Sequence, residues 1–226
     1  MTKEIRNGII KASSIALGII LVDQIFKVWI KTHFALGESF RITDWFYIAF
    51  VENNGMAFGL EFFDKIFLTI FRIIAVGALG YYLYHIIKRG YRFGYIAAIS
   101  MIFAGALGNI IDCMFYGLWF DKSIGNVANF LPDGGGYAPF MYGKVVDMLY
   151  FPLIDTTWPS WMPFVGGKSF TFFDPVFNIA DSAICIGVFV ILLFQRDYII
   201  GSSNEKESHE NINEENKFGK NGNDQE

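Results

Sequence analysis

The amino-acid sequence predicts an all-α membrane protein with four transmembrane helices, a small extracytoplasmic β-rich cap and a disordered C-terminal tail. Of its 226 residues, 53% are hydrophobic and only 18% are charged, whereas soluble domains carry about 25% charged residues. A large share of the charged residues lies in the C-terminal tail, so the rest of the chain is more apolar than the average. No basic stripe is present, and we expect no nucleic-acid partner.

Four windows are long and apolar enough to cross a bilayer, which takes about 20 mostly apolar residues. The first window contains Asp23 and Lys27 and lacks a small-x-small site after its apolar run, so we expect a retained helix rather than a cleavable signal peptide. The predicted helices cover residues 9–30, 66–87, 93–111 and 176–194.

Lysine and arginine residues predict the orientation of these helices. Positive charges in short loops mark the cytoplasmic side, and here they precede the first helix, fill the loop between the second and third, and follow the fourth. The residues are Lys3, Arg6, Lys11, Lys88, Arg89, Arg92 and Arg196. Both termini are therefore predicted to be cytoplasmic, and the segments 31–65 and 112–175 are predicted to lie outside.

The outer segments are predicted to form a cap on the helix bundle. The first contains aromatic and β-branched residues that suit short strands. The second contains Trp119, Trp158 and Trp161, a residue type that is common at membrane interfaces. Residues 1–200 are predicted to form one membrane domain, and residues 201–226 a disordered cytoplasmic tail because they lack aliphatic periodicity.

Polar residues are predicted to gather at one level, the outer boundary of the membrane. The first and third helices run outward and the fourth runs inward. Polar residues near the C-terminal ends of the first and third helices and the N-terminal end of the fourth are therefore expected to meet at the outer boundary. The outer segments add two more. The residues are Asp23, Lys27, Asn53, Asn109, Asp112, Asp147, Asn178 and Asp181. Ionisable groups are costly in a membrane, so their clustering indicates a functional site.

Paired carboxylates are the chemistry that this cluster offers. It contains no histidine, so it lacks the Ser–His and Cys–His arrangements of covalent hydrolases. Cys113 and Cys185 have no metal-ligand spacing and are expected to be small buried hydrophobes. Two nearby carboxyl groups share a proton, so one can activate a water while the other acts as an acid. Carboxylates also carry protons or cations in transporters, and a non-catalytic scaffold is a third alternative.

Five stretches carry a resemblance to a known family. They are DQIFK (Asp23–Lys27), NNGMAF (Asn53–Phe58), GNIID (Gly108–Asp112), GKVVDM (Gly143–Met148) and FNIADS (Phe177–Ser182). The five stretches stand in the order of the family's motifs. Over most of residues 9–196, the sequence resembles lipoprotein signal peptidase, also called signal peptidase II. Each stretch alone is weak, but five together on four helices form a specific signal.

The resemblance implies a membrane aspartic endopeptidase. Such an enzyme removes the signal peptide from diacylglyceryl-modified prolipoproteins by cutting just before the lipidated cysteine, with a water activated by two aspartates. The catalytic pair falls on Asp147 and Asp181, and Asp112 is a supporting residue. Seven further positions match residues that line or shape the site: Asp23, Lys27, Asn53, Gly55, Gly108, Asn109 and Asn178.

The resemblance also implies the setting of the enzyme. We expect a multi-pass protein of the bacterial cytoplasmic (inner) membrane, with its active site at the outer leaflet. The expected partners are lipid-modified prolipoproteins and membrane lipid, and the protein is expected to be a monomer. No metal or organic cofactor is implied. A small proton- or cation-coupled transporter is the alternative function, although its carboxylates would usually lie near the midplane between inverted repeats.

Two features depart from the family pattern. Cys113 stands where the family usually has an arginine after GNIID, and Arg72 could replace that arginine or could instead extend to the membrane interface. Extra residues lie on both sides of Asp147 in the outer segment, and we expect them to form a lid or rim over the site.

Overall fold

The computed structural model describes residues 2–54, 65–172, 174–195 and 198. Gly55, Arg196 and the predicted disordered tail lie outside the described residues. The helices are α1 (Lys3–His33), α2 (Lys65–Lys88), α3 (Phe93–Ile111), α4 (Gly117–Trp119) and α5 (Ile179–Phe194), with a π-helical turn at Asp112–Tyr116 between α3 and α4. The strands are β1 (Ser39–Arg41), β2 (Tyr47–Asn53), β3 (Val145–Tyr150), β4 (Ile154–Thr157), β5 (Ser169–Phe172) and β6 (Val176–Phe177).

Each of the four predicted spans coincides with an apolar helix. Among the described residues, three helical stretches are long and apolar enough to cross a membrane: Lys3–His33, Lys65–Lys88 and Phe93–Trp119. Helix α5 has 16 residues, which at 1.5 Å per residue is shorter than a bilayer core of about 30 Å. The predicted start of this helix at residue 176 is wrong, because Val176 and Phe177 pair with β3 as a strand and Asn178 caps the helix.

Helix α3 lies at the centre of the bundle and packs against α1, α2 and α5. Small residues let α3 and α5 approach closely. A Cβ atom on Gly105 would lie 2.2 Å from the carbonyl oxygen of Ala180, and one on Gly187 would lie 2.7 Å from that of Ala98. This contact brings the first turn of α5 against the end of α3. Cys113 is buried as expected, whereas Cys185 is exposed on α5, which corrects its prediction as a buried residue.

The predicted β-rich part consists of a four-stranded antiparallel sheet in the order β1-β2-β3-β6 and a separate β4–β5 hairpin. One face of the sheet packs against the end of α1 and the segment after α3. Its core contains Ile30, Phe50, Tyr116, Phe120 and Val146. Successive side chains of a strand point to opposite faces, so Asp147 points away from the core to which Val146 belongs.

Candidate active site

Asp147 and Asp181 lie on different elements and share Asn178 as a hydrogen-bond partner. Asp147 is buried in the middle of β3, with 3% of its surface exposed. Asp181 occupies the first turn of α5, where it forms a capping box with Asn178. The Asn178 amide donates to Asp147 Oδ1 at 2.7 Å, and its oxygen accepts from the Asp181 backbone N–H at 2.8 Å. The β3–β6 pairing explains this proximity, because β6 leads directly into α5.

Amide side chains hold both carboxylates. Asn53 Nδ2 donates to Asp147 Oδ2 at 3.3 Å, from the neighbouring strand β2. Asn109 Nδ2 donates to Asp181 Oδ1 at 2.8 Å, while its oxygen accepts from Asn178 at 3.1 Å and from Lys27 Nζ at 2.8 Å. These contacts fix the orientation of the Asn109 amide, since its oxygen is committed to two donors.

A buried group of three charges supports the pair. Lys27 Nζ lies 2.8 Å from Asp23 and 2.7 Å from Asp112, and all three side chains are fully buried. Asp112 accepts from the backbone N–H of Val146 at 3.3 Å, and Asp23 accepts from that of Ala180 at 2.9 Å. Asp112 therefore holds the backbone immediately before Asp147, and Asp23 holds the backbone immediately before Asp181.

Gly108 leaves space for this supporting group. A Cβ atom at Gly108 would lie 3.0 Å from Asp23 Oδ2 and 3.4 Å from the side chain of Ala180, which agrees with the close approach expected at this position. Gln24, which was not predicted from the sequence, donates to Asp112 Oδ1 at 2.9 Å and accepts from the Tyr116 hydroxyl at 3.1 Å. Gln24 also donates to its neighbour Asp23 at 3.2 Å, but Asp112 and Tyr116 lie far away in sequence, so no local spacing indicated these contacts.

Asp147 has an unusual protonation equilibrium. Burial, followed by the nearby negative charge of Asp181, raises the pKa of Asp147 to about 7, although hydrogen bonds from Asn53 and Asn178 oppose this shift. A carboxyl group with this pKa is about half protonated at neutral pH, so it can donate a proton as well as accept one.

Arg72 reaches the predicted position beside Cys113. Its Nη1 donates to Cys113 Sγ at 3.3 Å. Together with Asn109 and Asp181, Arg72 lines a cavity of about 280 Å³, and the remaining lining residues are apolar: Ala75, Val76, Ala106 and Ile184. The guanidinium thus lies at the site rather than extending to the membrane interface.

A second buried ion pair, which was not predicted from the sequence, lies on the face of the sheet opposite to Asp147. Lys31 forms an ion pair with Glu52 and donates to Ser123 Oγ at 3.0 Å. Lys144 contacts the other carboxylate oxygen of Glu52 at 3.0 Å. Lys31 follows Lys27 by four residues on the same face of α1, a spacing that could have indicated a third buried polar residue.

Glu52 connects α1 to the two strands that carry Asn53 and Asp147. Burial on its own raises the pKa of Glu52, but the charges of Lys31 and Lys144 outweigh it and lower the pKa below the usual value. Glu52 is therefore ionised at neutral pH. Its strand partner is Val146, the residue before Asp147, so the ion pair anchors this part of the sheet to α1.

Replacing Glu52 by glutamine is expected to destabilise the fold. The Glu52→Gln variant leaves the buried Lys31 ammonium without a carboxylate, which costs about 3 kcal/mol of unfolding free energy. Equilibrium unfolding in detergent measures this loss. Lys144→Met is the matched control, because the Lys144 side chain is 31% exposed and its removal is expected to cost less than about 1 kcal/mol. Equal losses for both variants would contradict a specific role of the buried pair.

The structure thus brings nine of the ten predicted site residues into one connected network, and the tenth, Gly55, lies outside the described residues. Among the described residues, every buried side-chain nitrogen and oxygen has a hydrogen-bond partner. Within the same part of the chain, no group of three or more His, Cys, Asp or Glu residues could hold a metal ion. The catalytic role of each of these residues stays a prediction.

The sequence is similar to a known family and to known proteins. The family model described as signal peptidase (SPase) II matches residues 15–195. A lipoprotein signal peptidase from Porphyromonas gingivalis is 49% identical over 187 residues, covering 82% of this chain and 82% of that protein. One from Amoebophilus asiaticus is 37% identical over 193 residues, covering 82% of this chain and 78% of that protein.

The chain is also similar to a solved structure. A bacterial membrane enzyme determined by the in meso method at 1.9 Å resolution aligns with a TM-score of 0.53 at 28% identity, covering 81% of this chain and 90% of that chain. The apolar helices and this likeness indicate a membrane-embedded protein. The predicted resemblance is confirmed: the chain belongs to the signal peptidase II family.

Proposed function

We propose that this chain is a membrane aspartic endopeptidase that removes the signal peptide from diacylglyceryl-modified prolipoproteins, cutting just before the lipidated cysteine. Family membership supports a peptidase of lipoproteins rather than a transporter. The two-aspartate mechanism is supported by the arrangement of Asp147 and Asp181, which come from separate elements and are both hydrogen-bonded to Asn178.

The pair shares one proton in the resting enzyme. The low-dielectric surroundings and the charge of Asp181 favour its location on Asp147, consistent with the raised pKa of that group. Asp181 is then the base. The Asn109 side-chain amide and the Asn178 backbone N–H both donate to its carboxylate and keep it in a fixed orientation, so little reorganisation is needed when a water binds between the two aspartates.

Peptide hydrolysis then proceeds in two steps. Asp181 removes a proton from the water as its oxygen attacks the scissile carbonyl carbon, while Asp147 gives its proton to the carbonyl oxygen. The tetrahedral intermediate, a gem-diol, collapses when the C–N bond breaks: the leaving nitrogen takes a proton from Asp181, and one hydroxyl of the gem-diol returns a proton to Asp147, which restores the pair. The products are the carboxyl terminus of the signal peptide and the free amino group of the lipidated cysteine, and no acyl-enzyme forms.

Supporting residues fix the distance between the two aspartates. Asp112 and Asp23 hold the backbone beside Asp147 and Asp181, and Lys27 joins these two supporting carboxylates. Arg72 takes the place of the arginine that the family usually has at the position of Cys113. Its guanidinium is a donor for carbonyl oxygens of a substrate in the cavity beside Asp181.

The membrane arrangement completes the proposal. All four apolar helices cross the bacterial inner membrane, both termini are cytoplasmic, and the site opens at the outer leaflet, where the lipid-linked cysteine of a substrate lies. Residues 1–200 form the membrane domain, which acts as a monomer, and residues 201–226 form a cytoplasmic tail. The positive charges at Lys88, Arg89 and Arg92 support this orientation.

Cleavage by purified protein in detergent tests the proposal. We expect wild-type protein to cut a diacylglyceryl-modified prolipoprotein, and mass spectrometry to locate the cut just before the modified cysteine. The matched control is the same prolipoprotein without the lipid, for which we expect at least about a 100-fold lower rate, a difference of about 2.7 kcal/mol in transition-state stabilisation. Equal cleavage of both substrates, or a cut elsewhere, would contradict the proposed specificity.

A further inference from the structure

The β4–β5 hairpin exposes large aromatic side chains at its tip. Its two strands pair in register from Ile154↔Phe172 to Thr157↔Ser169. The Trp158 ring packs against Phe170 at a centroid distance of 4.9 Å, whereas Trp161 is 79% exposed and Phe164 is 95% exposed. No residue from Thr156 to Gly167 is charged.

Backbone hydrogen bonds give this tip a defined shape. The N–H of Trp158 donates to the Lys168 carbonyl and the N–H of Gly167 donates to the Trp158 carbonyl, both at 2.9 Å. Phe164 has a φ of 70°, a left-handed conformation that is unfavourable for a bulky residue. Phe164 thus combines a strained backbone conformation with an almost fully exposed ring. Strain of this kind is typical of functional positions, which indicates a functional role for the exposed ring.

Aromatic residues connect the base of the hairpin to the start of α5. Phe151 precedes the hairpin and stacks on Trp45, which is 53% exposed, at 6.1 Å. Phe151 also stacks on Phe177 at 5.7 Å. Phe177 is adjacent to Asn178, the N-cap of the apolar helix α5. The exposed aromatic surface therefore begins beside the start of α5, an apolar helix that crosses the membrane in the proposed arrangement.

We propose that the tip of this hairpin, residues 158–167, inserts into the lipid–water interface of the membrane beside α5 and anchors the cap there. Tryptophan and phenylalanine are favourable at this interface, and the tip contains no charge that lipid would have to desolvate. Lys168 at the base suits anionic headgroups. In water, such a patch would promote association. This inference rests on the proposed position of α5 in the membrane but not on the proposed catalytic function.

Depth-dependent fluorescence quenching tests the insertion. The exposed Cys185 is first changed to alanine, and Phe164→Cys is then labelled with an environment-sensitive NBD fluorophore. The full-length protein is reconstituted into phosphatidylcholine–phosphatidylglycerol vesicles that contain lipids with a nitroxide near the headgroup. We expect nitroxide lipid to quench the label at position 164 at least about threefold more than a label at Gly134→Cys, since interfacial residues lie at headgroup depth.

Gly134 is the matched control because it lies in an exposed turn with space for a side chain. A Cys185→Ala variant without an added cysteine, treated with the same fluorophore, measures any labelling of the buried Cys113. Quenching of the position-164 label by aqueous iodide, at the same rate as the Gly134 label, would overturn the proposal. Shielding of position 164 from both quenchers would also overturn it, because the tip would then be covered by protein.

Discussion

Replacing Asp181 or Asp147 by asparagine is expected to reduce kcat for cleavage of a lipidated prolipoprotein by about 10³–10⁴-fold. The change keeps the size and most hydrogen bonds of the side chain but removes its ability to exchange a proton. Asn109 and Asn178 bind the two carboxylates as donors, and an asparagine oxygen can still accept one such bond. We therefore expect KM to change little, because the substrate pocket keeps its shape.

The control for these variants is Asp174→Asn, which changes a carboxylate near α5 that accepts a hydrogen bond from the Tyr150 hydroxyl. Asp174 matches no motif of the family, so its variant is expected to keep wild-type kcat. Equilibrium unfolding of all variants in detergent separates catalytic loss from misfolding. Near-normal turnover by a folded Asp147→Asn or Asp181→Asn variant would show that the pair is assigned wrongly.

Replacing Lys27 by methionine is expected to give the largest loss of stability. Lys27 lies between the buried carboxylates of Asp23 and Asp112 at 2.8 Å and 2.7 Å. Its removal leaves two buried negative charges without a cation, and breaking a buried pair of this kind costs about 3–5 kcal/mol. Equilibrium unfolding in detergent micelles measures the difference from wild type.

A triple variant tests whether charge imbalance causes this loss. Asp23→Asn and Asp112→Asn, added to Lys27→Met, remove all three charges and keep oxygen acceptors for the N–H groups of Ala180 and Val146. We expect the triple variant to regain at least half of the lost stability, because neutral replacements of a buried ion group are often tolerated. A Lys27→Met variant within about 1 kcal/mol of wild type would contradict this account of the buried charges.

Local spacing predicted part of the site. Asp23 and Lys27 are four residues apart in a helix, so their ion pair followed from helix geometry. The same spacing extends to Lys31, yet its partner Glu52 lies on a strand, and the ring contacts of Lys31 with Phe50, Phe120 and Tyr137 depend on the folded cap. Long-range partners such as these follow from the packing of separate segments, which periodicity does not encode.

The predicted helices agree with the fold because hydrophobic length is a strong signal, whereas strand pairing sets the start of the fourth helix. Val176 and Phe177 are apolar and extend the hydrophobic window, but their backbone groups pair with β3. Similarly, composition indicated strands in the first outer segment, and β1 and β2 lie there. The hairpin at residues 154–172 was expected only as part of a lid or rim, and its action on the site stays a prediction.

The central claim, a carboxylate pair that works with one shared proton, is tested most directly by the pH dependence of kcat/KM for a lipidated substrate without histidine. The pKa of Asp147 is raised to about 7, so this carboxyl keeps its proton below that pH and loses it above. We expect kcat/KM to fall above about pH 7, approaching a tenfold decrease per pH unit. A rate that stays constant or rises between about pH 6 and about pH 9 would contradict the claim, because the proposed acid would then be absent while catalysis continued.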